Sequence, residues 1–178
     1  MKEAPRESRT QRLVIRALAA SDAPALAELI RRNEARLVDS FPSTVQILAT
    51  GADGYIAARE ADWQAMRGFW FGIHTDRLIG QVQIKNIDWD LGKCELAYHI
   101  DRDHEGQGYA FEAVDDVVKM AFLIRMQKVF LRIVAGNSRS AALAERLGFR
   151  REGTLRKEFR IADGTLVDID YFGRLRSD

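Results

Sequence analysis

Two periods divide the chain. Where apolar residues alternate with polar ones, the period of two predicts strands. Such stretches are 12–18, with Leu13, Ile15 and Ala17 on one face, and then 69–74, 78–86 and 94–100. The second and third are joined at Thr75-Asp76-Arg77 as a hairpin. In the last of these, Glu95, Ala97 and His99 share one face, and Leu96, Tyr98 and Ile100 the other. A short apolar run over 129–134 and two closing runs, 150–161 and 165–175, complete the strands. The Asp163-Gly164 pair between the closing runs is a strong hairpin signal.

The other period is helical. Ser21 and Asp22 are good N-caps, Pro24 suits a first turn, and Leu26, Leu29, Ile30 and Leu37 recur at helical spacing with one polar break at Asn33. This helix runs to about Arg36 and is stopped by Phe41-Pro42. A second helical region, 43–66, is interrupted near Gly51 and Gly54, with Asp53 as a cap for its main part. From about Tyr109 a long helix carries a buried stripe of Ala110, Val114, Val117, Ala121 and Ile124, with Asp115, Asp116 and Lys119 facing solvent. Asn137 caps a helix over 138–147 that ends at Gly148. A strand–helix–strand order places 129–134 parallel to 94–100 by a right-handed crossover. The chain therefore predicts a mixed α/β sheet, mostly antiparallel, with one parallel pair in the middle.

Composition changes this picture little. A chain of 178 residues, 47% hydrophobic and 30% charged, suits one domain with a real core. The polar segment 1–10, MKEAPRESRT, reads as a mobile tail without the apolar core of a signal peptide, and 11–178 as the single domain. A net charge of +1 argues against a uniformly basic nucleic-acid binder. One cysteine, Cys94, excludes an internal disulfide framework and suits a reducing, cytoplasmic compartment. No apolar run approaches the roughly 20 residues that span a membrane. His74, His99 and His104 lack metal-ligand spacing, so no metal site is expected.

The chemistry concentrates in 98–113, YHIDRDHEGQGYAFEA. Gly106 and Gly108 can take backbone angles closed to other residues. The following helix points free N–H groups and its positive dipole end back at the turn, which makes an anion site with phosphate as the usual anion. Phe111 stands where a Rossmann site needs a third glycine, and no Lys-Ser or Lys-Thr pair follows as in a P-loop. The spacing also fits an ordinary strand–turn–helix corner with two convenient glycines.

Glu105-Gly106-Gln107-Gly108-Tyr109-Ala110 resembles the acetyl-CoA pyrophosphate loop of the GNAT acyltransferases, Gln/Arg-x-x-Gly-x-Gly/Ala. Asn137-x-x-Ser140, Leu147-Gly148-Phe149, Glu152-Gly153, the strand residues Glu95 to Tyr98, and Asp163-Gly164 with Asp168 are similar to the ribosomal-protein N-terminal acetyltransferase branch. The resemblance spans Leu13 to Leu175 in element order, and its specific motifs lie between Glu95 and Asp168. There are two departures. Glu105 replaces the usual Gln or Arg, and its carboxylate is expected to turn away from a pyrophosphate. Ala144 replaces a tyrosine acid, which points to Ser140 for that role.

The resemblance implies a GNAT fold whose central parallel strands splay apart, with the pantetheine arm of acetyl-CoA in the gap. The cosubstrate would be held by Tyr98, His99 and Ile100, by the turn from Glu105 through Gly106, Gln107, Gly108 and Tyr109 to Ala110, and by Asn137 and Ser140. Transfer would be direct, with Glu95 as base, a main-chain N–H near Tyr98 or His99 for the developing oxyanion, and Ser140 toward the departing thiolate. Each residue also has a plain structural reading. Glu95 would be a paired structural carboxylate, Asn137 an N-cap, Ser140 a first-turn serine, Tyr98 and His99 core residues. Cys94 reads as a small strand residue, not a nucleophile, and Trp63, Trp70 and Trp89 as core or rim. The implied acceptor is a protein N-terminal α-amine, with a polyamine or aminoglycoside as alternative, and a non-catalytic acetyl-CoA-binding domain as a further one. The insert 41–67 would govern acceptor choice. The chain would act as a monomer or homodimer.

Overall fold

The structure, a computed structural model, describes residues 3–178. Eight strands, β1 (Glu7–Arg9), β2 (Val14–Ala17), β3 (Phe69–His74), β4 (Leu78–Asp88), β5 (Lys93–Ile100), β6 (Lys128–Val134), β7 (Arg150–Arg160) and β8 (Leu166–Leu175), form one sheet in the order β1-β2-β3-β4-β5-β6-β8-β7. β3 (Phe69–His74), β4 (Leu78–Asp88) and β5 (Lys93–Ile100) form the antiparallel meander, and β5 then pairs in parallel with β6 (Lys128–Val134). The connection between them is α5 (Tyr109–Leu123), whose Val114, Val117, Val118 and Ala121 are buried on the sheet. β8 (Leu166–Leu175) lies antiparallel to β6, and β7 (Arg150–Arg160) forms the outer edge. This is the mixed sheet with a single parallel pair that the periodicities predict. β3 is buried along its whole length, so both of its faces are covered.

The N-terminal segment departs from the sequence reading. Instead of a mobile tail, Glu7–Arg9 forms strand β1 against β2 (Val14–Ala17), and Ala4 is buried in the core. A three-residue edge strand of polar side chains has no hydrophobic period to read. Its pairing is supplied by β2 and by Ser8, whose hydroxyl donates to Asp116 at 3.2 Å. Asp116 is accordingly half-buried and not part of a freely solvated face. Residues 1 and 2 of the expected tail lie outside the described residues.

The insert also differs. α1 (Ala23–Leu37) is followed by α2 (Pro42–Val45), α3 (Ile47–Thr50) and α4 (Ala52–Gln64). Gly51, at φ +91°, makes the break, because that angle ends a helix readily only at glycine. Gly54 sits inside α4 and interrupts nothing, and Asp53 lies in the first turn of α4 rather than at its cap. A second apolar cluster, with Leu26, Leu29, Ile30, Ile47 and Ile56, joins these helices. α6 (Ser138–Arg146) completes the elements, with the Asn137 side chain accepting from Ser140 N–H at 3.1 Å as expected of a cap.

Candidate active site

The register between β4 and β5 runs without a bulge from Glu95 to Ile100. On the other side, β5 and β6 pair only from Lys93/Lys128 to Leu96/Leu131, although the strands continue to Ile100 and Val134. The parallel pair therefore splays after Leu96, and the gap exposes backbone groups that neither strand satisfies.

Beyond the open end of β5 lies the glycine turn. Gly106 and Gly108 have φ of +72° and +82°, and Gly108 caps α5 in the left-handed region. The first bond across the boundary is donated by Glu112 N–H to the Gly108 carbonyl at 3.1 Å. The N–H groups of residues 106–111 are thus left for another acceptor, and a phosphate fits that set. Two side-chain anchors fix the turn. Arg12 donates to the Gln107 carbonyl at 2.9 Å and to Glu112 at 2.7 Å, and Thr10 also donates to Glu112 at 2.5 Å. On the other flank, Asn33 donates to the buried Asp101 at 3.0 Å and accepts from Arg102 N–H at 3.0 Å. Arg32 reaches the second Asp101 oxygen at 2.9 Å. Burial alone would raise the Asp101 carboxyl, but the Asn33 hydrogen bond and the charges of Arg32 and His104 hold it below its ordinary value. The polar break in the α1 stripe is therefore the residue that ties α1 to the turn.

Glu105 does not turn away. Its carboxylate is gripped by Arg36 of α1 on one side and by Arg139 of α6 at 2.6 Å on the other, and it lines a cavity of about 410 Å³ that follows the turn. Two guanidinium groups neutralise the carboxylate where it stands, which removes the need for it to leave. Ile100, Tyr109, Ala110, Leu143 and Arg146 share that cavity.

A second cavity, about 140 Å³, lies in the splay, and the two have Ser40, Phe41, Tyr98, Asn137 and Ser140 in common. Ala162 N–H donates to Asp39 at 3.1 Å, so the β7–β8 turn touches the loop after α1 above this cavity. The Tyr98 hydroxyl is buried without a well-formed hydrogen bond, and burial, only partly offset by Ser140, raises its pKa. Glu95 is 4% exposed, faces the inner cavity, accepts from Asn86 at 2.7 Å and lies 3.4 Å from Lys85 Nζ. His99 is a core histidine bonded to Gln81 at 3.0 Å, and burial pushes it down to about 4, so its ring is neutral. Burial pushes the Cys94 thiol up to about 12, which leaves no thiolate for nucleophilic chemistry. The structure thus brings Tyr98, Asn137, Ser140 and the turn around one continuous cleft, with Glu95 in its inner branch. It adds Arg12, Asn33, Arg36, Asp101, Glu112 and Arg139, which sequence reading did not single out; only the polar Asn33 within an apolar stripe carried a local signal.

A model of the acetyltransferase (GNAT) domain matches residues 12–150. The chain belongs to the GNAT acetyltransferase family. A Bacillus subtilis relative described as "Putative ribosomal N-acetyltransferase YdaF" is 30% identical over 179 residues, covering 94% of this chain and 93% of the relative. The spermidine N(1)-acetyltransferase of Vibrio cholerae is 29% identical over 93 residues, 52% of this chain and 53% of that protein. A crystal structure of a probable acetyltransferase superimposes with a TM-score of 0.87 at 28% identity, covering 96% of this chain and 97% of that one. This GNAT protein is an N-acetyltransferase. Among the described residues there is no group of three His, Cys, Asp or Glu side chains placed to hold a metal ion, and no helix is long and apolar enough to cross a membrane.

Proposed function

We propose that this enzyme transfers acetyl from acetyl-CoA to a protein N-terminal α-amine by direct attack. The observation that carries the acceptor class is the charge of the inner cavity. Glu95 is its one lining carboxylate among the described residues, and Lys85 already matches it at 3.4 Å. A polyamine brings several ammonium groups and would find no second counter-charge there, whereas an α-amine brings one. The name of the Bacillus subtilis relative agrees with this reading, and that of the Vibrio cholerae relative supplies the alternative.

Acetyl-CoA supplies the activated acyl group. The N–H groups of Gly106, Gln107, Gly108, Tyr109 and Ala110 bind its pyrophosphate, and the open edge of β5 at Tyr98, His99 and Ile100 aligns the arm. Main-chain N–H near Tyr98 or His99 holds negative charge as it develops on the carbonyl oxygen. Glu95 takes the proton from the incoming ammonium through water; an α-amine, with a pKa near about 8, needs only a modest base. Ser140, positioned by the Asn137 cap, hydrogen-bonds the departing thiolate. Cytoplasmic peptide N-termini are the acceptors that this reading expects.

The test is CoA release measured across a panel of N-terminal peptides, spermidine and an aminoglycoside. Peptide turnover well above both small amines supports the proposal. Preferred turnover of spermidine or the aminoglycoside overturns the acceptor, and acetyl-CoA binding without turnover on any amine overturns catalysis.

A further inference from the structure

A third cavity, about 440 Å³, opens between the insert helices and the sheet, within the range of about 300–1,000 Å³ usual for ligand pockets. Ser43, Thr44 and Ile47 line one side, Tyr55 and Arg59 of α4 another, and Trp70, Gln83 and Lys85 of β3 and β4 the floor. Lys85 also lines the inner cavity beside Glu95, so the two cavities border one residue. An acceptor whose amine reaches Glu95 has this pocket within reach of the groups next to the amine.

The pocket is built for a negative group. Among the described residues its lining holds two cations, Arg59 and Lys85, the second already matched by Glu95 of the neighbouring cavity, and no carboxylate. The Arg59 guanidinium carbon lies over two aromatic rings, 4.4 Å from the Trp70 centroid and 5.2 Å from that of Tyr55. Such cation–π contacts hold the guanidinium without using its hydrogen-bond donors. Its Nε is buried and has no hydrogen-bond partner among the described residues. Its one carboxylate contact among the described residues, Asp62 at 3.0 Å, is shared with Arg67 at 2.8 Å, so one negative charge serves two guanidinium groups. Burial pushes the Tyr55 hydroxyl up to about 12, so that group stays neutral beside the arginine. Gln83 is buried and adds an amide on the floor.

We infer that this pocket is a specificity subsite for an acidic side chain, carried by the acceptor within a few residues of the amine that is acetylated. The inference rests on the peptide-acceptor reading above, and it narrows that class to N-termini followed closely by Asp or Glu. Arg59 is the discriminating residue, through a charge-assisted bond to the carboxylate. A lysine at the same acceptor position meets the Arg59 cation, with no carboxylate lining the pocket among the described residues, and is disfavoured.

The test separates binding from turnover. Peptides of one sequence, carrying Glu, Gln or Lys at position two, three or four, are titrated calorimetrically into the enzyme saturated with CoA. The same peptides are assayed for acetyl transfer. The Glu peptide is expected to bind about tenfold tighter than its Lys counterpart at one of these positions, with the ratio falling as salt rises. Arg59→Gln should bring the ratio to about one, and Arg59→Lys should keep part of it. Equal affinities at all three positions, or an undiminished ratio in Arg59→Gln, overturns the inference. If Arg59→Gln does not fold, the wild-type comparison alone decides. Acidic preference in binding without acetylation leaves the subsite standing and overturns the peptide-acceptor reading; acetylation without charge preference does the reverse.

Discussion

Single residues set the chemistry of this cleft through their partners more than through their identity. Glu105 stands beside the N–H groups proposed to bind phosphate, and Arg36 and Arg139 compensate it. Replacing it by Gln removes a like charge from the cosubstrate site and frees two guanidinium groups to meet phosphate. Glu105→Gln is expected to tighten acetyl-CoA binding about fivefold, on the order of 1 kcal/mol for one screened charge pair, measured by calorimetry. Ser140 borders both the turn cavity and the inner cavity. Ser140→Ala should lower kcat by about 100-fold, the lower end of what proton or hydrogen-bond donation contributes, with acetyl-CoA affinity nearly constant. An unchanged kcat would remove Ser140 from the mechanism.

At the level of elements, the glycine turn is only as well placed as the segments that hold it. The β1–β2 hairpin does so through Thr10 and Arg12 on Glu112, and α1 through Asn33 on Asp101 and Arg102. Asn33 is 2% exposed, so its loss strands buried partners rather than surface ones. Asn33→Ala is expected to cost about 1–3 kcal/mol in urea unfolding, the usual penalty for buried polar groups deprived of a bond, and to weaken acetyl-CoA binding because the turn loses one anchor. Full affinity in that variant would show that the α1 anchor does not shape the turn. The edge strand β7 is exposed along its length except at the half-buried Phe159, but register shifts between Arg151 and Gly153 and between Leu155 and Phe159 twist it away from flat edge-to-edge pairing.

For the whole molecule, ligand and proton linkage give the most direct readouts. Acetyl-CoA at about 100 times its Kd should stabilise the fold by roughly 2.7 kcal/mol, a rise in Tm of about 5–10 °C for a chain of this size. Gly108 is at φ +82°, and a Cβ there would lie 3.3 Å from Arg12. Gly108→Glu, with strain, bulk and negative charge in the N–H cradle, should abolish that shift while circular dichroism still shows the fold. An undiminished shift would put the phosphate elsewhere. Protons act through the buried histidines. Burial, ahead of nearby arginine charge, lowers both His99, to about 4, and His74. Between about 6.5 and about 4 the unfolded chain binds protons that folded His99 refuses, so stability falls as pH falls through that window. Asp101, held low, adds a further loss below about 4. Tm measured from pH 7 to pH 4 should fall, and His99→Gln should flatten the slope without removing the part due to His74.

The sequence by itself determined the order and type of the elements from β2 onward, apart from the division of the insert, together with the glycine turn, the Asn137 cap and the parallel crossover, because each rests on a period or turn chemistry read within a few residues. It also carried the family likeness, since those motifs are contiguous. The tertiary structure decided the rest. Asn33 and Asp101 are 68 residues apart and Arg12 and Glu112 are 100 apart, so no local pattern joins them. Glu105 looked like a charge to be turned outward because its partners, Arg36 and Arg139, come from two separate helices. The polar tail became β1 because a short edge strand takes its hydrogen bonds from a neighbour and not from its own composition. The pocket around Arg59 exists only where α4 packs across Trp70 and brings Lys85 of a third element beside it. Local chemistry selects the pieces, and long-range packing decides which charges share a partner.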